Sequence, residues 1–392
     1  MLAIVNGLIE TMAGAAIPGG TVLIDGTTIR AVGREVEIPD GARILDAGGR
    51  LVTPGFIDAH SHIGMWEECV GFSGADGNEL TDPITPHLRA IDGIYPMEQP
   101  FADACSGGVT AAATGPGSTN VIGGQFAAIK LAGHCIDDMV IKAPMAMKCA
   151  LGENPKNYYN AKNMAPITRM GIAGMLRETL ARTIDYMERK EQAGEDMLRR
   201  PAYDVKYEAM IPVVKKELPL KVHAHRADDI LTAIRIAREF DLKITLDHCT
   251  EGHLIVEEIK RSGFGAIVGP SFGFKNKQEL RNKTFETAAI LAHSGVKVAL
   301  MTDHPVHCQH DLPLFAGLAA KAGMTREEAL RAVTINAAEI MGVDSRIGSL
   351  VPGKDADVVI WDGDPLSVDY RVYCTVVDGK VVYQVPGSAP VR

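Results

Sequence analysis

Hydrophobic and polar positions along this chain change rhythm twice. Through the middle, short and nearly continuous apolar runs take turns with amphipathic ones. KVHAH at 221–225 leads into a segment from about Asp228 to Phe240 whose Ile230, Ala233, Ile234 and Ala237 recur on one helical face. LKITLDH (242–248), a helical stretch around 252–262, GAIVG (265–269), a helix around 284–294 and VKVALMTD (296–303) continue the alternation. Strands that are apolar at almost every position, joined through helices by short links, predict a parallel sheet covered on both faces. Four such units within about 80 residues, with more upstream, favour a closed (β/α)8 TIM barrel over an open sheet. Upstream, GVTAAATG (108–115), QFAAIKLAG and MVIKAPMAMKCALG predict its second, third and fourth strands. A long amphipathic helix follows at 167–190, with Ile172, Leu176, Leu180, Ile184 and Met187 in register. Thr325, with Glu328 three residues on, predicts a capping box.

The two ends read differently. TVLIDGTTIRAVG gives two β-rich runs around Asp25-Gly26, and CTVVDGKVVYQV repeats the pattern around Asp378-Gly379. DADVVIWDGDP adds a further strand, and neither end carries helical periodicity. An α/β chain of two domains follows: a small β-sandwich from 1–54 and 346–392, and a barrel from 55–345.

Composition narrows the partners. The 392 residues carry a net charge of −9, against a nucleic-acid or anionic-membrane partner, since either needs a concentrated basic face. The basic run KNKQELRNK at 275–283 reads as a solvated helix or loop. Seven scattered cysteines without a CxxC pair suit reduced thiols. No leader or membrane-length apolar run is evident, so a soluble cytoplasmic protein acting on a small molecule is expected. Homo-oligomer formation is left open.

In a parallel barrel, chemical groups collect where the strands end. The polar residues closing the apolar runs are His60 and His62, Lys148, His223 and His225, His248, and Asp303. Side chains alternate along a strand, so His60 and His62 share a face, as do His223 and His225. A lone strand histidine is more often a hydrogen-bonded structural residue. Five histidines and an aspartate at strand ends instead favour one metal centre. Imidazole and carboxylate suit Zn²⁺ first, with Fe²⁺, Mn²⁺, Co²⁺ and Ni²⁺ as competitors and one or two ions. GPGSTNVIGG (115–124) lacks the lysine of a phosphate-binding loop, which argues against a nucleotide.

These motifs carry a family resemblance. LVTPGFIDAHSH resembles the first-strand signature of the amidohydrolase superfamily, and KVHAHRADDI, TLDHCTEGH and LMTDHPV resemble its fifth, sixth and eighth strand ends. RIGSLVPGKDADVVIWDGDP resembles the return into that family's β-sandwich. The nearest branch is imidazolonepropionase-like, which includes metal-dependent dipeptidases. The resemblance implies that His60 and His62 hold a buried metal, His223 and His248 a more exposed one, and that Asp303 binds metal and moves protons. Lys148, in AMKCALGE, resembles the carboxylated bridging lysine of isoaspartyl dipeptidases, and Glu153 is the alternative bridge. His225 is expected to touch substrate or to support a ligand. Arg226 is weighed equally as a grip on a substrate carboxylate and as an ion-pair partner of Asp228 or Asp229. His304 and His307 are expected to be solvent-facing at the mouth, and the insertion 65–101 to lie over the pocket.

The implied activity is cleavage of a C–N amide bond in a dipeptide or cyclic amide by metal-activated hydroxide. The alternative is a heterocycle deaminase, but HAHRADD lacks the Glu that follows the fifth-strand His in such enzymes. A non-catalytic scaffold is disfavoured, because every expected ligand type is present.

Overall fold

A computed structural model describes residues 1–386. The last six residues of the expected terminal domain, 387–392, lie outside the described residues. Five strands come first: β1 (Leu2–Ile9), β2 (Ile17–Asp25), β3 (Thr28–Gly33), β4 (Arg43–Asp46) and β5 (Leu51–Pro54). Eight follow: β6 (Phe56–Ser61), β7 (Val109–Thr114), β8 (Ile122–Lys130), β9 (Val140–Ala150), β10 (Leu220–Ala224), β11 (Ile244–His248), β12 (Ala266–Val268) and β13 (Val298–Leu300). The last three are β14 (Val358–Asp362), β15 (Arg371–Val377) and β16 (Lys380–Gln384).

The middle eight form one sheet in chain order, β6 through β13. It curls nearly shut. The end of β6 and the residue after it meet the residues beyond β13 through the backbone, Asp303 N donating to His60 O at 3.2 Å and His62 N to His304 O at 2.8 Å. The helices predicted between β10 and β13 form, among them Ala227–Glu239, which buries Ile230, Ala233, Ile234 and Ala237. The long helix runs from Arg169 to Ala193, and the capping box at Thr325 and Glu328 is present.

One strand departs from the all-parallel pattern. β8 runs antiparallel to both β7 and β9. Only residues 115–121 join β7 to β8. A parallel return needs a crossover of about a dozen residues or more, so this Gly- and Pro-containing link can only turn the chain back. The reversal sends Lys130, at the end of β8, to the barrel end opposite the histidines. There its buried ammonium meets Asp357 at 2.6 Å, Asp355 at 3.0 Å and Asp378 at 3.0 Å, all from the C-terminal part of the chain.

The strands of the two ends build the second sheet, ordered β16-β15-β14-β5-β1-β2-β3, with β4 on β1. Its opposite ends share one core, in which Ile4, Val22 and Ile29 pack with Val358, Cys374 and Val376. Trp361 on β14 anchors this sheet to the barrel. It is fully buried, its ring lies 4.8 Å from that of Phe56, and its Nε1 donates to Thr53 Oγ1 at 2.9 Å. Among the described residues no helix is long and apolar enough to cross a membrane, and none of the seven cysteines is paired.

Candidate metal centre

Five histidines at the barrel mouth are gripped from behind. His60 Nδ1 lies 2.5 Å from Asp247 Oδ2, and His62 Nδ1 lies 2.7 Å from Gly115 O. His223 Nδ1 meets Ser118 Oγ at 2.9 Å, His225 Nδ1 meets Thr250 Oγ1 at 2.7 Å, and His248 Nδ1 meets Gly269 O at 2.9 Å. A carbonyl can only accept, so His62 and His248 carry a proton on Nδ1, which leaves Nε2 as the atom turned away from that partner. All five imidazoles thus turn Nε2 toward one space, and partners of this kind orient metal-ligating histidines.

The rings form two sets. His60, His62 and Asp303 place their donor atoms within 4.8 Å of one another, and so do His223, His225 and His248. The sets touch, with His60 and His248 ring centroids 5.2 Å apart. In the first, Asp303 Oδ1 lies 3.5 Å from His60 Nε2 and 3.3 Å from His62 Nε2. In the second, His248 Nε2 is buried with no hydrogen-bond partner among the described residues. An orphaned lone pair beside two further imidazoles, with a carboxylate next door, fits a divalent cation of borderline softness. His248 and Asp303 reach these positions with φ of +69° and +58°. Such left-handed backbone is unfavourable for these residue types and persists where surrounding contacts over-determine it.

Burial sets the charges. Desolvation holds His60, His223 and His225 well below the usual imidazole range and brings His248 down to about 4. They are therefore neutral, which is the ligand form. Burial raises the Asp303 carboxyl, but His248, His62 and Lys148 outweigh it and bring it down to about 2. Burial also lowers Lys148 to about 8.

Lys148 is fully buried with Nζ 3.2 Å from His60 Nε2. Glu153, its rival as a bridge, points elsewhere. It opens the helix Glu153–Ala161, and its carboxylate accepts from Glu279 N at 3.2 Å and Asn157 Nδ2 at 3.3 Å. Arg226 forks onto Asp228 at 3.0 and 2.9 Å and is not among the residues lining the cavity over the histidines. The short reach to a carboxylate two residues away accounts for that pairing. His225, by contrast, lines the cavity with His223 and His248.

That cavity measures about 570 Å³ and is walled by Trp66, Ser118, Asn154, Phe272, Lys277 and His307. The insertion 65–101 contributes Trp66 and Asn78 to it. Two expectations need correction. His304 is buried rather than solvent-facing, because it follows Asp303 into the barrel mouth, with backbone O accepting from His62 N. The basic run 275–283 is not simply a solvated segment. Its Lys277 and Lys283 line the cavity, and its Glu279 is completely buried. Asp247 and Lys221, which support His60, were likewise not singled out by the sequence; a polar residue at every other position of β10 and β11 was their only signal.

The Amidohydrolase family model matches residues 51–382. The chain belongs to this family. Its members are in general metal-dependent, and the donor sets above are consistent with that. The crystal structure of an amidohydrolase from Thermotoga maritima MSB8 superposes with a TM-score of 0.94 at 40% identity, covering 98% of this chain and 100% of that one. An imidazolonepropionase of Paracoccus denitrificans is 28% identical, over 93% of this chain and 95% of its own length. Amidohydrolase tasK of Hapsidospora irregularis is 30% identical over 94% of this chain, which spans only 40% of that protein. This amidohydrolase is thus imidazolonepropionase-like, a hydrolase acting on C–N bonds.

Proposed function

We propose that this amidohydrolase hydrolyses a C–N amide bond in a small substrate, a dipeptide or a cyclic amide, with the help of Zn²⁺ or a similar divalent ion. The convergence of His62, His223, His225, His248 and Asp303 on one cavity, with His60 buried beside His62 and Asp303, carries the reading. His60, His62 and Asp303 would hold one ion with Lys148 as the bridging group, and His223 and His248 would hold a second where two are bound. A bound ion supplies Lewis acidity to the carbonyl and makes a water easier to deprotonate.

The chain's own groups do the rest. Asp303 Oδ1, held between His60 and His62, accepts the proton of the attacking water and delivers it to the departing nitrogen. Ser118 and Asn154 offer hydrogen bonds at the wall, and Trp66 and Phe272 supply apolar surface. A space of about 570 Å³ suits a small molecule rather than a folded partner. Likeness to imidazolonepropionases across most of the chain supports the cyclic-amide member of the pair. Unpaired cysteines support a reducing, cytoplasmic location.

The test is a panel of dipeptides and lactams, assayed on chelator-stripped protein before and after adding Zn²⁺ or Mn²⁺. Metal-restored hydrolysis that yields a new carboxylate is expected. Hydrolysis at full rate without metal would overturn the reading. Ammonia release with no new carboxylate would replace it with a deaminase.

A further inference from the structure

Glu279 is the one acid in a segment that also carries Lys275, Lys277, Arg281 and Lys283, yet it is the residue of that run with no solvent exposure at all. Half of its carboxylate has a structural task. Glu279 Oε2 accepts from Glu153 N at 3.0 Å while Glu153 Oε2 accepts from Glu279 N at 3.2 Å, a reciprocal clamp that ties the segment to the helix after β9. The other oxygen faces the histidines. Oε1 lies 3.6 Å from His225 Nε2 and 4.0 Å from His223 Nε2. A fully buried carboxylate needs a counter-charge. Here that is Lys277, whose Nζ lies 2.7 Å from Oε1 and 2.9 Å from Asn154 Oδ1.

His248 presents an unprotonated Nε2, and the Ser118 and Thr250 hydroxyls can accept from Nδ1 of His223 and His225 so that their Nε2 atoms do the same, so a divalent cation suits the space between Glu279 and the imidazoles. Lys277 is also one of the more mobile ways to fill it, being a flexible chain about a quarter exposed at the cavity wall. We infer that Glu279 is a fourth donor of the His223/His225/His248 set, and that Lys277 is a resident counter-ion that swings out when a divalent cation enters. The inference rests on the metal dependence proposed above. It gives His225 and Glu279 a role that the family resemblance, which points to His223 and His248, does not. With Lys148 serving as the bridging group proposed above, it also ranks the two sets: the one at His60, His62 and Asp303 fills first, and the second is opposed by the Lys277 charge.

The charge argument makes two substitutions act in opposite directions. Glu279→Gln keeps an oxygen for Glu153 N but removes the negative charge. Lys277→Met keeps the chain length but removes the positive one. Chelator-stripped full-length protein is titrated with Co²⁺ and Zn²⁺, read by calorimetry and by Co²⁺ visible absorption, with circular dichroism as the check on folding. Wild type should show a tighter and a weaker binding event. Glu279→Gln should weaken the second by roughly 10- to 100-fold, Lys277→Met should tighten it, and the first should stay put in both. If the pair merely braces the segment, both substitutions loosen the site or neither does, and the inference falls. It also falls if neither wild type nor Lys277→Met takes a second ion. A wild-type protein that binds no divalent ion at all defeats the metal-dependent reading itself, an outcome distinct from one ion bound without a second.

Discussion

His60 Nδ1 and Asp247 Oδ2 lie 2.5 Å apart, and neither residue has any solvent exposure. The carboxylate fixes the imidazole's tautomer and aims Nε2 at Asp303 and Lys148. Lys221 completes the arrangement from the far side, its Nζ 2.9 Å from the same Oδ2 and 2.9 Å from Ala59 O. Burial lowers the Lys221 ammonium pKa, with Asp247 opposing that fall.

Asp247→Asn and Asp247→Ala should therefore separate two roles. The amide keeps a hydrogen-bonding group near both partners but loses the charge that favours one tautomer. Metal affinity should fall roughly 10- to 100-fold with the fold retained. The alanine variant strands a buried ammonium, so it should also lose about 3–5 kcal/mol of stability. Calorimetric metal titration and urea unfolding measure the two effects. Equal metal affinity in the Asn variant and wild type would remove Asp247 from the site's support.

Lys148 offers a sharper test of the bridge. Its Nζ sits 3.2 Å from His60 Nε2 at full burial, where a simple structural lysine would want a carboxylate. Lys148→Met conserves the apolar stem and removes the nitrogen. If Lys148 supplies the bridging group, the variant should lose hydrolysis by roughly 100-fold and bind fewer ions, and small carboxylic acids should restore part of both. Metal content by mass spectrometry is the readout. Unchanged metal content and no response to added carboxylates would assign Lys148 to packing alone.

At the other end of the barrel, Lys130 faces Asp355, Asp357 and Asp378. Burial raises the Asp357 carboxyl, and Lys130 opposes that rise. Lys130→Met should cost about 3–5 kcal/mol near neutral pH by leaving buried carboxylates uncompensated. The pH dependence has a definite sign. Without the cation, Asp357 in the folded protein rises further above its unfolded value. The folded state then holds a proton that the unfolded state has lost, so stability falls as pH climbs through the raised value. The gap between variant and wild type should accordingly narrow on acidification. Denaturant midpoints across acid to neutral pH decide it, and a gap independent of pH would sink the explanation.

Some of this was legible in the chain and some was not, for physical reasons. The strands from β10 to β13 and the helices between them follow from apolar runs and helical spacing, because both faces of those strands are buried. Direction is different. A strand's composition does not encode which way it runs, so reversed β8 showed only in the shortness of the link 115–121. His60 and His62 share a face by plain alternation. His248 does not reach the site that way, because its neighbour Asp247 already points inward at His60. It turns in because its φ of +69° ends the extended conformation. Glu279 was hidden for another reason: a charge-rich run looks solvated until tertiary structure folds one of its acids beneath the rest.

Trp361 tests whether the terminal sheet shapes the site or only stabilises the barrel. The ring packs 4.8 Å from Phe56 at the start of β6, whose far end leads to His60 and His62. The neighbouring backbone is fitted to it: a Cβ on Gly108, at φ +79°, would come within 2.4 Å of the indole. Trp361→Ala should cost about 3–5 kcal/mol by opening a cavity at this junction. Yet His60 and His62 are held locally, by Asp247 and by Gly115 O, and the barrel closes beside them through the Asp303 and His304 backbone. Well below its melting temperature the variant should therefore bind metal as wild type does, while unfolding at lower denaturant. A folded Trp361→Ala protein with weakened metal binding would mean that the sheet sets the position of β6, and that local contacts alone do not hold the two histidines.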